Sequence, residues 1–166
     1  MVDRLEKADR LAAITQRVGF AVWQLQELEW AAVNYLVMRV HAKRGMGVAA
    51  GEALLGAVGK RTFGSVLKEL SGAGVLDPTL AAGLTNTLQE RNWLVHQSRR
   101  DSRGALKSDK DSADLIARLD KIADNALVLL RQVGQLIERY AADSGVPPEF
   151  VDRESERLLK QWGILE

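Results

Sequence analysis

The chain has 166 residues, 46% hydrophobic and 27% charged, enough for one core and too few for two ordinary domains. Its 23 Lys and Arg against 22 Asp and Glu leave a net charge of +1, so any contact with nucleic acid has to be local rather than a bulk attraction. With no Cys and two His, structural disulfides and Cys-ligated zinc are excluded, as is a three-His site within one chain.

The charged opening Met1-Val2-Asp3-Arg4-Leu5-Glu6-Lys7 runs straight into an amphipathic pattern, unlike a signal peptide, which follows its positive residues with a continuous apolar stretch. No window reaches the roughly 18 uninterrupted apolar residues of a membrane span. A cytoplasmic protein without membrane contact is expected, and the absence of Cys fits a reducing compartment.

Leu11, Ile14, Val18, Ala21, Leu25, Leu28, Ala32 and Tyr35 alternate spacings of three and four, which lines one side of a long first helix from Asp3 to Ala42. Arg44-Gly45-Met46-Gly47 ends it, because each glycine costs a helix about 1 kcal/mol relative to Ala. Between Ala49 and Ser71 the pattern breaks at Gly56, Gly59 and Gly64, which predicts two short helical pieces, followed by a loop over Ser71-Gly72-Ala73-Gly74. Asp77-Pro78 starts a third helix, with Asp as N-cap and Pro at the first helical position, and this helix runs to about Gln97. Mixed basic and acidic residues from Ser98 to Ser112 predict an exposed loop. A second long helix follows, carried by Leu115, Leu119, Ile122, Ala126, Leu129, Val133, Leu136 and Tyr140, and it stops near Ser144-Gly145. Glu149 to Trp162 can form a terminal helix anchored by Phe150, Leu158, Leu159 and Trp162. Nothing alternates with period two. The expected class is all-α, an antiparallel bundle of two long helices, one medium helix and short accessory pieces, with a bundle over 1–145 and a terminal helix or tail over 146–166. The heptad stripes serve as seams within one chain.

One segment suggests chemistry. Leu80, Leu84, Leu88 and Val95 fall within a sector of about 80° on the third helix, and Arg91 falls inside it. A guanidinium there keeps its charge and needs a carboxylate, a phosphate, water or a partner chain. Asn92 and His96 are four apart and share a face. Imidazole moves protons near neutral pH and arginine forks onto phosphate oxygens, so the set suits phosphodiester chemistry. Without an obvious carboxylate cage for Mg²⁺, the nucleophile would be the RNA 2′-hydroxyl. Ideal geometry sets Arg91 and His96 about 140° apart, and a symmetric dimer would bring two copies of the helix to one cleft.

The string Glu90-Arg91-Asn92-Trp93-Leu94-Val95-His96 resembles the signature of the HEPN superfamily (higher eukaryotes and prokaryotes nucleotide-binding): Arg, four to six residues, then His, often with a polar residue after the Arg. The all-α plan, with the motif near the end of a central helix and a long helix after it, extends the resemblance over about Arg10 to Tyr140. It implies a homodimer whose motifs meet at the interface and a metal-independent endoribonuclease of toxin–antitoxin or phage-defence type, needing no cofactor and answering to an antitoxin or other regulatory protein. Residue by residue, it implies Arg91 as the phosphate-binding or transition-state residue, Asn92 as an orienting residue and His96 as the general acid/base. One branch of the superfamily has a modifiable Tyr two residues after the His; here that position is Ser98. Other members keep the fold as non-catalytic dimerisation or binding modules.

Each residue also has a structural reading. His96 can cap carbonyls at a helix end, and Arg91 can pair with Glu27 or Glu29. Glu90 reads as solvent-facing, and His41 as a helix-end cation suited to the dipole. Trp93 plots opposite the apolar stripe and either packs under another helix or supplies a second contact surface, while Trp23 and Trp30, seven apart, are candidates for core or dimer contact. Arg99, Arg100 and Arg103 either guide RNA toward His96 or decorate a solvated connection.

Overall fold

A computed structural model describes residues 2–161, and among them every regular element is a helix. Helix α1 spans Val2–Leu36 and continues through a π-helical turn, Val37–His41, to Ala42, which is extended at ψ 139°. Gly45, at φ 85°, turns the chain where a residue with a Cβ would be strained. Short helices α2 (Val48–Val58) and α3 (Phe63–Gly72) follow, as the interrupted pattern predicts; α3 begins where the Thr62 side chain accepts from the Ser65 amide.

Helix α4 spans Pro78–His96. Asp77 Oδ1 accepts from the amides of Thr79 and Leu80, both at 2.9 Å, while Pro78 occupies the first turn, where no amide is missed. A single turn, α5 (Ser98–Asp101), leads to α6 (Asp109–Asp143), and α7 (Pro148–Gln161) closes the described chain.

The segment expected as an exposed loop, Ser98 to Ser112, is mostly ordered into α5, tight turns and the first turn of α6. Two causes lie in its sequence. Ser108 N-caps α6 by accepting from the Asp111 amide, and Ala105 is buried, 2% exposed, beneath the surrounding charges. Arg10 on α1 then pairs with Asp109 and ties this corner down.

Successive main helices alternate in direction. On one face of α4, Gly83 sits against Leu129 and Glu90 against Arg118, so α4 runs antiparallel to α6. Arg10 meets Asp109, Arg17 meets Asp120 and Arg39 lies over Tyr140, so the two long helices run parallel, as the first and third members of an up-down-up bundle must. Their seam is built on small and branched residues: Ala21, Leu25, Leu28 and Ala32 on α1 against Leu119, Ile122, Ala126 and Val133 on α6, all buried. Alanine lets two long backbones approach closely while the leucines interlock. Leu84 of α4 and Val66 and Leu70 of α3 close the core from the other side, and the Tyr35 hydroxyl donates to the Val75 carbonyl at 3.0 Å, fixing the entry to α4.

On α7, Phe150 and Val151 are exposed and Leu159 is half-buried. Trp162 and the side chain of Leu158, the other two expected anchors, lie outside the described residues. Among the described residues no helix is long and apolar enough to cross a membrane.

Candidate functional site at the end of helix α4

Three faces of α4 separate the residues of the motif. Its inner face, carrying Leu80, Leu84, Thr87 and Leu94, is buried. Val95, expected in that stripe, is 52% exposed. The reason is the length of α3: Gly64, near its start, already lies against Leu88, so the last two turns of α4 run past the end of the helix that would cover Val95.

Arg91 points toward α1. Its Nε donates to Glu29 Oε1 at 2.9 Å, and both side chains keep partial exposure, 32% for Arg91 and 25% for Glu29. Of the partners open to Arg91, a carboxylate, a phosphate, water or a second chain, the structure supplies a carboxylate, that of Glu29. Only the Nε edge is engaged in this pair, so the two terminal nitrogens retain donors for a phosphate or for water. Glu29 also lines a small cleft of about 160 Å³ with Gln26, Trp30 and Arg61.

Asn92 and His96 occupy the outer face and are exposed. Among the described residues neither side chain is held by a hydrogen bond or ion pair. The imidazole is thus free to exchange protons with a ligand, and the amide is free to donate or accept. Arg91 and His96 face different ways, one into the α1 seam and one into solvent, in keeping with their wide angle around the helix. A single chain does not aim both at one phosphate.

The third face meets α6 and holds an arrangement that sequence reasoning missed. Glu90 grips Arg118 with two hydrogen bonds, 3.0 and 3.2 Å, and the Arg118 guanidinium stacks 3.3 Å above the Trp93 ring. The indole N–H donates to Asp101 Oδ2 at 3.2 Å, while Arg100 donates to the other oxygen of Asp101. Glu90 is therefore not a bystander facing solvent, and Trp93 packs beneath α6. The spacing of Glu90 and Trp93, three apart on one face, was the available signal; it called for a cation on a neighbouring helix without saying which. This clamp orders the end of α4 against α5 and α6. It borders an open groove of about 400 Å³ whose other walls include Asp111 and Asp114, so the groove is acidic and unsuited to a polyanion.

Arg99, Arg100 and Arg103 follow the motif directly and are all exposed. Arg100 shares Asp101 with Trp93, which leaves Arg99, Arg103 and Lys107 as the cations without an ion pair among the described residues of this corner. His41 lies elsewhere, at the π-helical end of α1. Its Nε2 is 2.9 Å from Glu69 Oε1, without hydrogen-bond alignment, and Arg61 takes the other carboxylate oxygen at 2.6 Å. That cluster fastens α3 to the end of α1. Among the described residues no group of three or more His, Cys, Asp or Glu is arranged to hold a metal ion.

Compared with known proteins, the chain matches no family model, no curated protein and no solved structure.

Proposed function

We propose that this chain is a HEPN-type endoribonuclease that cleaves RNA through its 2′-hydroxyl without a metal ion or other cofactor. It acts in the cytoplasm as a toxin or phage-defence effector held in check by an antitoxin or other regulatory protein. The observation that carries the reading is the release of Asn92 and His96 into solvent at the end of a well-clamped helix, one turn from an arginine whose orientation is fixed by Glu29. A helix-end histidine kept for structure would be expected to hold a carbonyl or a carboxylate, and His96 holds neither among the described residues.

In this scheme the neutral imidazole of His96 removes the proton of a 2′-hydroxyl and the 2′-oxygen attacks the adjacent phosphorus. The bond from phosphorus to the 5′-oxygen breaks and the departing oxygen takes a proton from an imidazolium, leaving a 2′,3′-cyclic phosphate and a 5′-hydroxyl. Arg91 supplies charge to the phosphate oxygens as they become more negative, Asn92 orients the phosphate, and Arg99, Arg100 and Arg103 gather the flanking strand. Because Arg91 and His96 face apart within one protomer, the proposal requires a second copy so that residues from two chains share one cleft.

The test is cleavage of a mixed-sequence RNA in excess EDTA, with His96→Ala prepared in parallel. Cleavage by the wild type alone, with cyclic phosphate ends, supports the proposal; equal activity of the two proteins rejects it. A second reading has its own observation. The Arg91–Glu29 pair already answers the charge of Arg91, as a non-catalytic dimerisation or binding module would need, and in that case neither protein cleaves RNA.

A further inference from the structure

The small cleft beside Glu29 has the size and the chemistry of a ring-binding site. Its volume of about 160 Å³ is close to the roughly 150 Å³ that takes up one benzene ring in a protein interior. Val33, Phe63 and Val66, all buried, give it an apolar lining, and Trp30 stands at its side. The indole is both held and open. A Cβ built on Gly59 would come within 3.1 Å of Trp30 Cζ3, so the missing side chain lets the edge of the ring rest against the end of α2, yet the residue is 51% exposed. An aromatic surface ordered in advance loses little freedom when a base stacks on it, and unstacked RNA bases are recognised by such stacking together with hydrogen bonds to their edges.

Charge decides which part of a nucleotide belongs there. Glu29 is paired with Arg91, and Arg61 with Glu69 at 2.6 Å, so both ionised groups lining the cleft already have their counter-charges. Such walls offer little to a phosphate and suit an uncharged planar ring with a polar edge. Two groups are left to read that edge. Glu29 accepts from Arg91 through Oε1, and its Oε2 takes no hydrogen bond among the described residues; the amide of Gln26, an exposed residue, is likewise unengaged among them. Gln26 precedes Glu29 by three residues and Trp30 by four, so carboxylate, amide and indole border one opening. A carboxylate accepts from the exocyclic amino group of cytosine, and an amide N–H donates to the ring nitrogen beside it. Uracil would set a carbonyl oxygen against the carboxylate, and the second ring of a purine would project from the cleft.

We infer that this cleft is the base subsite for the nucleotide 5′ to the scissile phosphate, with cytosine stacked on Trp30, its amino group on Glu29 Oε2, its ring nitrogen on Gln26 and its 3′-phosphate on the terminal nitrogens of Arg91. Glu29 then serves both halves of the nucleotide, orienting Arg91 through one oxygen and reading the base through the other. The inference rests on the function proposed above for the role of Arg91 toward phosphate. It adds a base preference, cleavage after cytidine, that the motif on α4 does not determine.

The experiment is a titration of the isotope-labelled full chain with cytidine 3′-phosphate, adenosine 3′-phosphate and inorganic phosphate, followed by the amide and indole N–H resonances. The Trp30 indole signal is assigned by its loss in Trp30→Leu. Cytidine 3′-phosphate should shift that signal saturably and bind about tenfold or more tightly than adenosine 3′-phosphate, while inorganic phosphate leaves it in place. Trp30→Leu and Gln26→Leu, both at exposed positions, should each weaken binding of cytidine 3′-phosphate by about tenfold with the rest of the amide spectrum unchanged. A Trp30 signal that stays still or follows inorganic phosphate, equal binding of the two nucleotides, or variants that bind as the wild type does would overturn the inference. None of these readouts needs cleavage. A chain that binds cytidine 3′-phosphate through Trp30 and leaves RNA intact keeps the subsite and rejects the ribonuclease; one that cleaves RNA in EDTA without preference for cytidine keeps the ribonuclease and rejects the subsite.

Discussion

The ion pair between Arg91 and Glu29 decides how the motif is used, and a double-mutant cycle measures it. Two opposite charges about 4 Å apart attract by ~4 kcal/mol at an effective dielectric of 20, before desolvation and side-chain ordering are subtracted. Both groups here remain a quarter to a third exposed, so water screens the pair, and a net coupling of about 1 kcal/mol is expected. Arg91→Ala and Glu29→Ala should each lower urea-unfolding stability by about 1–2 kcal/mol, and the double variant should lose about 1 kcal/mol less than their sum. A coupling below roughly 0.3 kcal/mol would refute the pair as a feature of the protein in solution. RNA cleavage adds a readout that a structural pair would not move. If Glu29 orients Arg91 for phosphate, Glu29→Ala should reduce turnover about tenfold, and Arg91→Ala, which removes the cation itself, by a hundredfold or more. Equal losses of stability with turnover untouched would assign the pair to the scaffold alone.

The packing makes further predictions. A Cβ at Gly83 would come within 2.9 Å of Leu129 Cδ2, so Gly83→Val should wedge α4 from α6 and cost about 1–3 kcal/mol in denaturant unfolding, with partial recovery when combined with Leu129→Ala. Asp77→Ala removes the acceptor for two amides at the start of α4 and should cost about 1 kcal/mol by the same measurement. Arg118→Ala takes the cation from Glu90 and from the Trp93 ring; a loss of about 1–2 kcal/mol is expected, with a change in tryptophan emission as the indole gains water. His96→Ala, at an exposed side chain with no partner among the described residues, should change stability by no more than about 0.5 kcal/mol, which makes it a clean probe of activity.

What could be read in the sequence divides by the range of the interactions that fix it. Asp77 accepts from amides two and three residues away and Pro78 needs no amide partner in the first turn, so the start of α4 was legible to the residue, and the long stripes of α1 and α6 were legible because a helix repeats its own face. Ser108 was just as local a cap, yet the run of alternating charges around it concealed the first turn of the second long helix, since those charges find their partners on other elements, Arg10 with Asp109 among them. Arg91 shows the intermediate case. Its place in an apolar stripe called for a carboxylate, a phosphate, water or a partner chain, with Glu27 and Glu29 among the carboxylates in view, and only the register of two helices, with partners 62 positions apart, selected Glu29. For Glu90, Trp93 and Arg118 the spacing called for a cation without naming one, because a clamp between α4 and α6 depends on which sides of two separate helices are turned together. Trp23 and Trp30 invert the usual inference from hydrophobicity. Their shared face was plain, and what puts that face outside is the competing stripe of Ala21, Leu25, Leu28 and Ala32, whose smaller side chains let α6 come close where two indoles would have held it away.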